Sequence, residues 1–334
     1  MKALPYGLKA YKKGEFDELH QPGGRNLTAS NIAALFGKSP WSGRFGLACH
    51  VTGSVPFPEI ASNIIQRGRD LELVSAMIVA REKGWKVEAI NAYAEHPTFK
   101  RRVTASPDML AWKEGEFLPG IGEGKVVAAP LFQDRWADGP PIYVELQHQL
   151  QLRCTGATWG FISALIVGDW RLDLVVYETK PNKPAMKIID TAVGDFFKII
   201  DSGSMPDPDP HEDSLRALHS LYPKADPGLI VLCEDEKSIK LFDDAVAARQ
   251  RRLEAEKIED EAKAHFKCMA KDAGLVKLPK GRNVLIKVIS RGESVVKASS
   301  YRRLDFEHFV PLLQEPAPAA KAAPKRKPKA TSKT

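Results

Sequence analysis

Two hydrophobic periods alternate along the first 200 or so residues of this chain. In RNLTASNIAALFG, Ile32, Leu35 and Phe36 recur at helical spacing, and Ser30 or Thr28 can cap the start, so a helix is expected there. A second helix is expected over about 64–83, with Leu71, Val74, Met77 and Ile78 as its apolar stripe and Gly84 as its end. Short strand-like runs follow at about 85–90, 101–105, 109–112 and 121–127. From 142 to about 153 the period returns to that of a helix, and 161–167 and 172–177 read as buried strands. The order α, several β, α, β, β predicts a mixed α/β domain.

The pattern breaks at 202–213, SGSMPDPDPHED, where alternating Pro and Asp suit neither a helix nor a central strand. A core over 1–201, a loop over 202–213 and an appendage over 214–314 are therefore expected. In the appendage, 234–270 reads as one long charged helix or a helical pair with an apolar edge of Ile239, Phe242, Val246 and Leu253. NVLIKVISR and ESVVKASSYRRLDF read as paired strands. The final segment, 315–334, is Ala, Pro and Lys without a large apolar residue, and is expected to be disordered.

Composition changes this picture in three places. The net charge is +7, but Lys321, Lys325, Arg326, Lys327, Lys329 and Lys333 against Glu315 place +5 of it in the tail. The rest is nearly neutral, so any polyanion surface on it must be a local patch. Cys49, Cys154, Cys233 and Cys268 lie far apart, which argues against a zinc or iron–sulfur site built from neighbours and fits reduced thiols. No run of about 18 apolar residues occurs and the N-terminus lacks an apolar signal core, so a non-membrane, cytoplasmic protein is expected.

The candidate chemistry lies in TASPDML and GEGK. Pro107 sets a turn and Asp108 begins a strand, while Glu123 and Lys125, two apart, project from one face of the next strand. Neighbouring strands can bring Asp108, Glu123 and Lys125 to one spot. Two close carboxylates repel, and a divalent cation relieves that; Mg²⁺ or Mn²⁺ suits a site with one to three carboxylates. Such an ion serves phosphodiester hydrolysis, with Lys125 holding or deprotonating the attacking water. The alternative is a solvated hairpin edge. Glu72, on the second helix, is a candidate third acid or an ordinary exposed glutamate. Tyr143, Gln147 and Gln151 stand four apart on one helical face, and Gln147 is placed to orient Lys125 or the water. His148 reads as structural or DNA-contacting, not as a metal ligand.

From about Asn26 to Tyr177 the chain resembles the lambda-type phage exonucleases, the YqaJ viral recombinase family, within the PD-(D/E)xK nucleases. The residues that carry the likeness are TASNIAALFGKSPW, RGRDLE, HPTFKRRVTASPDML, EGK, and the run WADGPPIYVELQHQLQLRCTGATWGFISALIV. The resemblance implies a restriction-endonuclease-like core of mixed sheet flanked by helices, with Asp108 and Glu123 as ligands of Mg²⁺ or Mn²⁺, Lys125 catalytic, Glu72 accessory and Gln147 at the family's helix glutamine. It also implies that the TAS segment binds a DNA 5′-phosphate through Ser30, physically reasonable at a helix N-terminus; Arg25 is a looser match. Two departures stand out. Gly124 replaces the usual apolar residue and, with Gly122, predicts a less well packed strand; Glu145 stands where many relatives have Gln.

The expected function is a metal-dependent exodeoxyribonuclease acting on linear duplex ends, 5′ to 3′, and leaving 3′ single strands for recombination. By the same resemblance it would form a ring-shaped homo-oligomer, such as a trimer, and work beside a single-strand annealing protein. A structure-specific or restriction-type endonuclease and a non-catalytic DNA-binding scaffold are the rivals.

Overall fold

A computed structural model describes residues 4–12, 26–56, 62–168, 172–224, 228–279 and 283–285, with side chains for all of these except 62–69 and 283. Arg25, most of NVLIKVISR, all of ESVVKASSYRRLDF and the basic tail lie outside the described residues. In chain order the elements are β1 (Lys9–Ala10), β2 (Leu27–Thr28), a 3₁₀ helix (Ala29–Phe36), α1 (Arg44–Thr52), α2 (Ser62–Lys83), β3 (Lys86–Ala89), β4 (Ala92–His96), β5 (Lys100–Ala105), β6 (Met109–Trp112) and β7 (Gly120–Ala128). Then come α3 (Ala129–Arg135), α4 (Ile142–Thr155), β8 (Gly160–Val167), β9 (Leu172–Thr179), α5 (Lys183–Asp201), α6 (Glu212–Leu221), α7 (Glu236–Ala270), β10 (Leu275–Lys277) and β11 (Asn283–Leu285).

The first compact unit, Met1–Tyr222, is built on two sheets. The larger has the order β3-β6-β7-β8-β9, with β7 and β8 parallel and the other neighbours antiparallel. The smaller has the order β1-β4-β5-β2. One face of the large sheet meets α2, where Ala76 and Val79 pack on Met109, Ala111, Trp159 and Phe161. The other face meets α4, where Leu150 and Leu152 share a core with Leu110 and Ile121. This is a mixed sheet flanked by helices, as expected.

Glycine spacing explains how the sheet takes its aromatics. A Cβ on Gly120 would stand 2.5 Å from the Trp159 ring, one on Gly122 would overlap the Phe161 ring, and one on Gly124 would approach Met109 Cε at 3.1 Å. Because side chains alternate along a strand, all three glycines share one face and Ile121, Glu123 and Lys125 share the other. The glycines therefore do not loosen β7, contrary to expectation; Trp159, Phe161 and Met109 fill the space they leave.

The expected stripe on α2 holds in part: Ile78 is buried, and Leu71 and Val74 are half-buried. Met77 is 72% exposed, while Ser75, Ala76 and Val79 are buried. Small residues face the sheet there because the bulky aromatics already occupy the volume.

The pattern also predicts neither β4 nor α5. Helix α5 is anchored by Asp190, which accepts from Arg153 at 2.9 and 3.0 Å and meets His96 Nε2 at 3.0 Å. Beyond the Pro/Asp segment, α6 belongs to this unit. Ala217 packs on α1 with Phe45 and Cys49, and the buried Asp213 meets His50, Ser42 and Arg216.

The second unit begins at Pro223. Its long helix α7 exposes Ile239 and Leu253 and half-buries Phe242 and Val246. A short antiparallel pair, β10 and β11, follows it. Among the described residues no helix is long and apolar enough to cross a membrane.

Candidate active site

The turn Ser106-Pro107 delivers Asp108 to the edge of the β6–β7 pair, where its N–H donates to Gly122 O at 2.9 Å. Antiparallel pairing of Met109 with Gly122 places Asp108 beside Glu123 and Gly124. Its Oδ2 accepts from the Gly124 N–H at 2.8 Å. Burial and then the charge of Glu123 push its carboxyl well above the ordinary range; Lys125 opposes the shift and Glu72, on α2, adds to it. Asp108, Glu123, Lys125 and Glu72 are thus brought within electrostatic reach of one another.

Glu123 is only 1% exposed, which would be untenable for an isolated carboxylate. Three donors compensate. Lys125 Nζ and Gln147 Nε2 donate to Oε1 at 2.5 and 2.7 Å, and Gln151 Nε2 donates to Oε2 at 2.5 Å. Burial pulls the Lys125 ammonium down, but Glu123 and Asp108 outweigh it and the net shift is upward. Lys125 is therefore a cation, a proton and charge donor in this state rather than a free base.

The glutamines come from α4, packed over the Glu123 face of β7. The four-residue spacing of Gln147 and Gln151 puts both amides above one carboxylate. Gln151 was part of the polar stripe in the sequence, yet only the structure makes it a direct partner of Glu123. Behind it His148 is fully buried, with ring nitrogens 3.0 Å from Gln151 Oε1 and 2.8 Å from Thr179 Oγ1. Burial pushes its imidazole down. Of the two roles expected for His148, contact with DNA is excluded in this conformation.

Ser30 follows β2 of the smaller sheet. Strand β2 runs parallel to β5, with Thr28 opposite Thr104. The two chains leave the sheet in the same direction, one into Ser30 and the other into Ser106-Pro107-Asp108. Ser30 is exposed, its Oγ 2.9 Å from Thr28 Oγ1, and the Thr28 N–H donates to Asn31 Oδ1 at 3.0 Å. A cavity of about 390 Å³ lined by Arg153, Lys183, Lys187 and Asp190 contains none of the predicted site residues.

Among the described residues no three Asp, Glu, His or Cys side chains form a ready-made metal cage. The donor set still fits a hard divalent cation: Asp108 carries excess repulsion from Glu123 and Glu72, and Mg²⁺ needs one or two carboxylates and completes its shell with water and phosphate oxygens.

Part of the chain matches a known protein family. Residues 15–158 match the model of the YqaJ-like viral recombinase domain. The likeness is confined to this segment, which is less than half of the chain. The segment holds all the predicted site residues, while β8, β9 and α5 follow it. No curated protein matches the chain. Among solved structures, LHK-Exo in complex with dAMP is similar at 23% identity, covering 54% of this chain and 89% of that one, TM-score 0.42. A second structure, of the alkaline exonuclease LHK-Exo from Laribacter hongkongensis, is 20% identical over the same shares, TM-score 0.40. A phage-related exonuclease from Haemophilus somnus 129PT is 11% identical, covering 54% of this chain and 96% of that one, TM-score 0.37.

Proposed function

We propose that the chain is a divalent-metal-dependent deoxyribonuclease that degrades linear duplex DNA from the 5′ end. The observation that carries this reading is the buried carboxylate of Glu123, held by Lys125, Gln147 and Gln151 beside Asp108. The likeness to the YqaJ-like domain supports it, because viral recombination consumes DNA ends with 3′ single strands.

Asp108 and Glu123 would hold Mg²⁺ or Mn²⁺, with Glu72 as an accessory acid. A cation held there would lower the pKa of a bound water and polarise a phosphoryl oxygen. Lys125 offers its ammonium to the charge that develops on the phosphate, a role that needs it protonated. Gln147 keeps Glu123 Oε1 and Lys125 in register. Ser30 would take the terminal 5′-phosphate, through its hydroxyl and the N–H groups that open the 3₁₀ helix; Arg25 belongs to the same proposal. A ring-shaped homo-oligomer threaded by the duplex, a single-strand annealing partner, a host-cytoplasm setting, and non-specific DNA attraction by the basic tail complete the reading.

The test is digestion of long linear duplex with Mg²⁺, comparing 5′-phosphorylated ends, 5′-hydroxyl ends and a closed circle, with Glu123→Ala and Ser30→Ala in parallel. The expected result is loss of the phosphorylated linear DNA, survival of the circle, an inert Glu123→Ala and a slowed Ser30→Ala. A cleaved circle makes the protein an endonuclease. No cleavage with Mg²⁺ or Mn²⁺ leaves a DNA-binding scaffold.

A further inference from the structure

Glu123 is oriented by more than its direct partners. Gln151 Nε2 faces two acceptors, Glu123 Oε2 at 2.5 Å and Ser106 O at 3.1 Å. That end of the amide must be the NH₂ group, since an oxygen there would face two other oxygens. The amide oxygen then points at His148 Nδ1, 3.0 Å away, so Nδ1 must carry a proton. A neutral imidazole with Nδ1–H has a lone pair on Nε2, and the Thr179 hydroxyl, 2.8 Å away, donates to it. Every donor along this line therefore points one way: Thr179 to His148, His148 to Gln151, Gln151 to Glu123.

The line spans three elements. Thr179 ends β9, His148 and Gln151 lie on α4, and Glu123 lies on β7. His148 and Gln151 are both fully buried, so no water competes for these bonds. Room for the ring comes from Gly160, where a Cβ would stand 2.7 Å from His148 Nε2.

We infer that His148 is a positioning residue for Glu123: its Nδ1–H fixes the Gln151 amide, and the fixed amide presents Glu123 for cation binding. This rests on the proposal that Glu123 is a metal ligand. Without the imidazole donor the Gln151 amide can flip, which would aim an oxygen at the carboxylate and repel it. Partners one step removed from a metal ligand typically change metal affinity by about 10–100-fold.

The test uses the full chain with Mn²⁺ alone as probe, followed by DNA cleavage. Three variants separate the donor from the bulk: His148→Asn, whose amide nitrogen stands where Nδ1 was; His148→Gln, whose nitrogen stands where Nε2 was; and His148→Leu. Thermal melting checks folding, and the Asn and Gln pair decides the matter even where Leu does not fold. The expected Mn²⁺ Kd of His148→Asn lies within about twofold of the parent chain, while His148→Gln and His148→Leu weaken it about tenfold or more. In cleavage the loss falls on kcat, with KM for DNA unchanged.

Equal Mn²⁺ binding in all chains overturns the inference. So does equal loss in Asn, Gln and Leu, which makes ring volume the requirement. If the parent chain binds Mn²⁺ but cuts no DNA, the nuclease reading falls while the Kd series still decides the role of His148. If the parent chain binds no Mn²⁺, both fall.

Discussion

The ring of Phe161 on β8 fills the space that a side chain on Gly122 of β7 would need. The two residues are register partners on adjacent parallel strands, next to the strand position that carries Glu123. Gly122→Ala should overpack this face and cost about 1–3 kcal/mol. Phe161→Ala should cost about 3–5 kcal/mol through the cavity it leaves. The double variant should cost less than the sum, because the added methyl enters the new cavity. Urea midpoints at constant slope check this; strict additivity would refute it.

Asp108 is held against its chemistry. Its carboxyl lies well above the ordinary range because burial, then Glu123, disfavour the charge. A raised carboxylate contributes stability below its unfolded value, about pH 4, and loses it as pH rises through its folded value. At neutral pH without divalent cations, Asp108→Asn should therefore melt higher than the parent chain, by about 2–4 °C for each kcal/mol relieved. Mg²⁺ should raise the melting temperature of the parent chain and leave Asp108→Asn unmoved. A less stable Asp108→Asn under metal-free conditions would contradict this account.

Gln147 shares Glu123 Oε1 with Lys125. Gln147→Leu removes one donor and lets the ammonium and carboxylate reorient together. The expected outcome is a fall in kcat of about tenfold with little change in KM for DNA. Initial rates over a range of DNA-end concentrations measure it; an effect on KM alone would assign Gln147 to DNA binding.

Asp213 ties α6 to α1. Burial raises its carboxyl, but hydrogen bonds from His50, Ser42 and Arg216 outweigh burial and the net shift is downward. A lowered carboxylate contributes stability above its unfolded value, about pH 4, and that contribution is lost as pH falls through its folded value. Urea midpoints should drop more steeply in acid for the parent chain than for Asp213→Ala, which starts lower. Parallel curves would remove Asp213 from the acid response.

The candidate triad was readable because its spacing is local: a turn before Asp108, and Glu123 two residues from Lys125 on one strand face. The glutamine stripe was readable for the same reason, through helical periodicity. Gln151 and His148 were harder. Which of three polar residues on a helix reaches a carboxylate 28 residues upstream depends on how α4 is set over β7. His148 became legible only once Thr179, from β9, closed the other side of its ring.

Local periodicity by itself determined the order of helices and strands around the site, the turn that starts β6, and the face shared by Glu123 and Lys125. It left out α5, although that helix is strongly amphipathic, and β4, a short strand of mostly buried residues. Only the tertiary structure decided that the glycines of β7 make room for Trp159, Phe161 and Met109, that α6 joins the first unit through Asp213, and that Gln151 and His148 stand behind Glu123. The physical reason is common to all three. Each depends on side chains from elements distant in sequence competing for one buried volume or one buried hydrogen bond, and such competition has no period along the chain.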